Sequence, residues 1–176
     1  VPKSWDKLRT ICRECTTLQW YQQGFRRSIC DVIDTWTYET VEKTAPYRIR
    51  QHYHPLHDRI RLRHSEQNRE LARAGSVDGS LDTIDLSDAS DSVSFALVKS
   101  AFRKSILLSV AYCCRSSTAT CPGVEMPIQL QKFAPMGSAL CFPFMCVLFA
   151  AMCEEAIERV DGKNAIHTSK YSVYGD

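Results

Sequence analysis

The sequence predicts an α+β fold, and three observations carry that prediction. First, the apolar period switches. Thr83, Ile84 and Leu86 suit a strand over 80–86, whereas Val93, Leu97, Ala101, Ile106 and Val110 follow helical spacing. Second, from residue 80 onward the order is strand, helix, extended pair, helix, strand, which is a sheet covered by helices. Third, 44% hydrophobic and 24% charged residues suit a globular core and exclude disorder as the dominant state.

Each element has its own signal. Leu18, Tyr21, Phe25, Ile29 and Ile33 predict a helix over 16–34. Residues 35–64 are rich in aromatics, His and Arg, with Pro46 and Pro55 as breakers, and predict irregular or short elements. Ser65 can cap a helix that runs through Leu71 and ends at Gly75. Asp88 or Ser90 can cap the helix carrying Val93 to Val110. A turn at 116–123, an extended stretch at 124–133 and a loop-then-helix at 136–160 follow. Residues 170–174 predict a last strand, ending in Gly175 and Asp176.

Charge is uneven along the 176 residues. Residues 1–75 hold 14 Lys and Arg against 9 Asp and Glu, while residues 76–176 hold 8 against 11. A basic half before an acidic half suits phosphate contacts in one part and metal contacts in the other, or simply two solvated surfaces. The net charge of +2 excludes a uniformly basic nucleic-acid coat. Nine cysteines at irregular spacing argue for reduced, buried thiols rather than a disulfide framework, and the first residues lack the layout of a signal peptide. A zinc site drawn from Cys12, Cys15, His52, His54, His57 and His64 lacks a second pair at finger spacing. Residues 133–153 carry no charge, but Pro135, Gly137, Ser138 and Pro143 interrupt them, which predicts a shaped loop and a buried helix, with no membrane span.

Asp85 falls at the end of the first predicted strand and Asp176 just past the last. If those strands are neighbours, both carboxylates sit at one sheet edge. Hard carboxylate oxygens there can share two divalent ions for phosphoryl transfer. Either Asp alone also suits a turn or a cap.

The residues around these carboxylates carry a resemblance. DTIDLSDASDSVS at 82–94 resembles polymerase motif A of the leviviruses, the single-stranded RNA bacteriophages. APMGSALCFPF at 134–144 resembles motif B, and YSVYGD at 171–176 resembles the start of motif C. VPKSWDKLRTICRE resembles the basic motif F, and QNRELARAGSVDGSLDTIDLS the lead-in to motif A. The motifs stand in the family's order across nearly the whole chain.

The resemblance implies an RNA-directed RNA polymerase with a right-hand architecture. It assigns 1–75 to the fingers, and 76–176 to a ferredoxin-like palm sheet covered by helices. Asp85 and Asp176 would be the catalytic metal ligands for two Mg²⁺ or Mn²⁺ ions. Asp91 would recognise the ribose of the incoming nucleotide. Gly137 and Ser138 would form the motif B loop against template or nucleotide. Lys3, Arg9 and Arg13 would contact the triphosphate. RNA template and product, nucleoside triphosphates and host translation proteins are the implied partners, in the cytoplasm of an infected bacterium. Two departures stand out. Ser138 replaces the Asn of the best-known members, with Cys141 and Pro143 also differing, and the second Asp of motif C lies beyond residue 176. This stretch alone is therefore expected to be inactive.

Other readings of the same residues remain. Asp91 also suits a first-turn position interacting with a helix dipole, and Lys3, Arg9 and Arg13 a solvated face. A non-catalytic RNA-binding protein with a degenerate palm would use Trp20, Tyr21, Phe25, Trp36, Tyr38, Tyr47 and Tyr53 to stack bases. A reverse transcriptase-like polymerase would share the palm.

Overall fold

Helix α1 (Thr16–Asp34) forms as the periodicity predicts, but its buried stripe is rotated. Gln22, Ile29, Cys30, Ile33 and Asp34 are buried, while Tyr21 is 57% exposed. The computed structural model describes residues 11–42 and 48–175. They fall into two compact units, Val1–Arg26 with Leu86–Met145, and Arg27–Asp85 with Cys146–Asp176.

In the first unit, α3 (Ala89–Ser92), α4 (Phe95–Ala101) and α5 (Ile106–Cys114) replace the single helix predicted over 93–110. The breaks have a local cause. Ser94 Oγ accepts the Leu97 N–H (3.1 Å) and Ser105 Oγ accepts the Leu107 N–H (3.2 Å), so each serine starts a new helix. Asp88 stands before α3 at φ 52° without a side-chain cap. The extended stretch contributes only β4 (Ile128–Gln129), antiparallel to β3 (Thr118–Ala119), and a bridge from Ser94 to Lys132. Phe144 anchors this unit's core, in ring contact with Phe25, Phe102 and Phe133.

In the second unit, residues predicted to form irregular or short elements make a hairpin of two short strands. β1 (Thr37–Glu42) pairs antiparallel with β2 (Arg48–Tyr53), with Tyr38 opposite His52 and Thr40 opposite Arg50. Helix α2 (Glu66–Asp78) follows Ser65, whose side chain makes no cap bond. The helix runs past Gly75 and ends at Gly79, at φ 68°, whose N–H donates to the Gly75 carbonyl. Gly75 is needed for a close approach, because a Cβ there would collide with the Leu81 carbonyl. Helix α6 (Cys141–Asp161) gives its first five residues to the first unit and the rest to the second. Ile60, Leu62, Cys146, Leu148 and Val173 are buried in the second unit.

The helices and small antiparallel sheets make an α+β arrangement, as expected. The strand pairing differs. Residues 81–86 belong to no helix and no strand, with Ile84 75% exposed. The predicted strand at 170–174 is reduced to one parallel bridge between Ile60 and Val173. Strand propensity is local, whereas a strand exists only when another backbone takes up its N–H and C=O groups. The expected ferredoxin-like sheet is therefore not formed among the described residues.

Candidate functional site

The motif B loop is the most fully built part of the site. Gln22, with 0% exposure, reaches it from α1. Its Oε1 accepts from Ser138 Oγ (3.0 Å) and from the Ala139 N–H (3.1 Å), while its Nε2 donates to the Cys114 carbonyl (2.8 Å). Ser138 Oγ in turn accepts the Leu140 N–H (3.3 Å). Gly137 stands at φ 111°, and a Cβ there would collide with the Cys12 carbonyl oxygen. The Cys12 N–H donates to the Met136 carbonyl (2.8 Å), which closes the loop's other side.

Asp91 lies in α3, half exposed, and accepts from Lys132 Nζ at 2.6 Å. Pairing at such exposure stabilises by about 1 kcal/mol at most, so its effect is to aim the two side chains. The backbone of Lys132 is held by α4's approach, with Phe95 N–H donating to Gln131 and Phe133 N–H to Val93 (both 2.8 Å). Arg115 secures the same stretch. Its guanidinium donates to the carbonyls of Phe133 (2.9 Å), Lys132 (3.0 Å) and Leu130 (3.3 Å), and lies 4.4 Å from the Phe95 ring centre. Cys141, at the start of α6, senses the pair. Burial first, and the Asp91 charge second, push its thiol up to about 11, with Lys132 pulling the other way. Asp91 thus sits beside the start of α6.

The motif C stretch is held from within the second unit. Arg59 donates to the carbonyls of Ser169 (2.7 Å) and Ile166 (2.8 Å), and its guanidinium carbon lies 4.5 Å from the Tyr171 ring centre. The Arg59 carbonyl accepts the Val173 N–H (2.8 Å). Ser172 Oγ donates to Asn68 Oδ1 (2.9 Å), and the Gly175 N–H donates to Cys146 Sγ (3.2 Å). Tyr171 donates its hydroxyl to Glu154 (2.8 Å), and burial followed by that bond raises its pKa.

Of the predicted residues, Asp91, Gly137 and Ser138 are brought into one unit, with Arg13 exposed in the same unit. Asp85 is exposed on a segment of the second unit that belongs to no helix or strand, and so is not at a strand end. Lys3, Arg9 and Asp176 lie outside the described residues. Among the described residues, no three His, Cys, Asp or Glu side chains gather as a metal site, the proposed zinc set included. No helix there is long and apolar enough to cross a membrane. Sequence reasoning missed Gln22, Arg59, Arg115 and Lys132, because each acts on backbone or side chains distant in sequence and no local pattern marks it.

A family model for the RNA replicase beta-chain matches residues 42–176. The chain is 33% identical over 129 residues to the RNA-directed RNA polymerase subunit beta of Enterobacteria phage SP, covering 69% of the chain and 21% of that protein. It is 31% identical over 131 residues to the corresponding subunit of Escherichia virus Qbeta, covering 69% and 20%. It is 41% identical over 93 residues to the RNA-directed RNA polymerase beta chain of Escherichia phage MS2, covering 53% and 16%. The chain thus spans about a fifth of the length of the curated relatives it matches. No solved structure matches it significantly. With three quarters of its length inside the replicase match, the chain belongs to the RNA replicase beta-chain family.

Proposed function

We propose that this chain is the fingers-to-palm stretch of a phage RNA-directed RNA polymerase and acts in template-directed nucleotidyl transfer. The observation that carries the reading is the meeting of Asp91, Lys132 and Cys141 beside the loop that Gln22 secures. It joins residues of motifs A and B, 50 positions apart, at one place.

Asp85 and Asp176 are the residues that would hold Mg²⁺ or Mn²⁺. Both offer hard oxygen donors, and Asp85 is exposed and open to a hydrated ion. Two bound ions would supply charge to the attacking and leaving oxygens of the α-phosphate. The chain's own residues do the positioning. Asp91, aimed by Lys132, accepts from a ribose hydroxyl. The 137–139 backbone, held from below by Gln22, supports the nucleotide or template. Arg13, with Lys3 and Arg9, neutralises triphosphate. In this reading residues 1–75 serve as fingers and 76–176 as palm. The setting would be the cytoplasm of an infected bacterium, with RNA, nucleoside triphosphates and host translation proteins as partners.

The test is Asp85→Asn in the full-length polymerase. Primer extension should fall by at least about 1,000-fold, since charge stabilisation at the reacting phosphate is removed, while RNA binding persists. Extension that survives at parental rate would refute the metal-binding role of Asp85, and a parent protein that binds RNA but extends no primer would leave a non-catalytic RNA-binding protein.

A further inference from the structure

The β1–β2 hairpin presents a row of rings that the polymerase reading does not use. Trp36 and Tyr38 stack with centroids 5.6 Å apart, and Tyr38 stacks on His52 across the strands at 5.2 Å. Trp36 also meets His54, at 6.4 Å. The hairpin ladder extends to this end, where the His54 N–H donates to the Trp36 carbonyl (3.2 Å). Trp36 is 50% exposed and Tyr38 36% exposed.

Cross-strand rings also stabilise a hairpin, and a two-stranded hairpin needs such help. Three features go beyond that need. The imidazoles are held in place, His52 by Thr40 Oγ1 at 2.8 Å and His54 by the Leu56 N–H, which donates to its Nδ1 at 3.2 Å. Burial pulls the His54 pKa down, so it offers a neutral ring rather than a charge. Strand β2, which bears His52 and leads into His54, carries Arg48 and Arg50, with Arg50 exposed opposite Thr40 and the acidic Glu39 and Glu42 confined to β1.

Rings in a row beside arginines are what a sequence-tolerant single-strand platform requires: π faces for bases and cations for phosphates. A duplex keeps its bases inside and could not use the rings. We infer that the Trp36, Tyr38, His52 and His54 face of the hairpin binds single-stranded RNA by base stacking, with Arg50 on the phosphate backbone. The inference extends the RNA-handling part of the reading above, but does not require catalysis.

The test is fluorescence anisotropy of a labelled single-stranded RNA oligonucleotide with the full-length protein that carries this chain. Tyr38→Thr keeps strand propensity and removes the ring, so it should weaken binding by about 5- to 100-fold, whereas Tyr38→Phe should bind as the parent does. If Tyr38→Thr fails to fold, His52→Gln removes the second ring and should weaken binding to a similar degree. Arg50→Gln should flatten the salt dependence. Parental affinity in folded Tyr38→Thr or His52→Gln, or equal affinity for duplex and single strand, would overturn the inference. Extension by the full-length polymerase is read separately: parental RNA affinity in these variants beside lost extension in Asp85→Asn refutes this inference alone, whereas weakened binding here beside parental extension in Asp85→Asn refutes only the role of Asp85.

Discussion

Gln22 Oε1 accepts from Ser138 Oγ at 3.0 Å across 116 positions of sequence, and both residues are buried. The same amide spans to the Cys114 carbonyl, so one side chain joins α1, α5 and the motif B loop. Gln22→Leu should therefore destabilise by about 2 kcal/mol or more, because a buried hydroxyl and two buried backbone groups lose their partner. Thermal unfolding checks this.

Gln22→Glu gives a pH signature. A buried carboxylate facing the Cys114 carbonyl is repelled when charged, so its pKa in the folded state lies above the unfolded value. The folded state then binds more protons, and stability falls as pH rises through the raised pKa. Unfolding midpoints of this variant should rise on going from neutral to mildly acid pH relative to the parent. No such relative rise would sink the Gln22 assignment.

Two glycines with positive φ should behave differently. At Gly137 both the φ of 111° and the Cys12 carbonyl oppose a side chain, so Gly137→Ala should cost about 3 kcal/mol or more. At Gly79, with φ 68° and open space around it, Gly79→Ala should cost only about 1 kcal/mol. Chemical denaturation of the two variants side by side measures the difference.

Arg59→Lys removes the fork that serves Ile166 and Ser169 together, and its stacking on Tyr171. Hydrogen bonds from a charged donor contribute about 1.5–3 kcal/mol each, so residues 166–173 should open locally. Faster amide exchange at Val173, with the first unit's exchange unchanged, is the expected result.

Thiol chemistry should discriminate between Cys15 and Cys141. Backbone N–H groups of Thr17 and Leu18 hold the exposed Cys15 thiol below its usual value, whereas burial and Asp91 hold Cys141 at about 11. At pH 8 only about one Cys141 in a thousand is thiolate. Brief alkylation followed by mass spectrometry should label Cys15 far ahead of Cys141. Asp91→Asn should bring Cys141 labelling forward, and Lys132→Gln should delay it.

Sequence alone determined the helices with strong local periodicity or clear stops, such as α1 and α6, and the α+β class. It also singled out Asp85, Asp91, Gly137 and Ser138 as candidates, because they stand in contiguous stretches that resemble the family's motifs. Tertiary structure alone decided the rest. It broke the helix at Ser94 and Ser105, left Asp85 on an unpaired chain, and reduced the 170–174 strand to a bridge at Val173. It also selected Gln22 and Arg115 as the residues that secure loops of the first unit, and Arg59 as the one that secures residues 166–173 of the second. The physical reason is that strand pairing and buried hydrogen bonds are satisfied by partners far away in the chain, and no local window contains those partners.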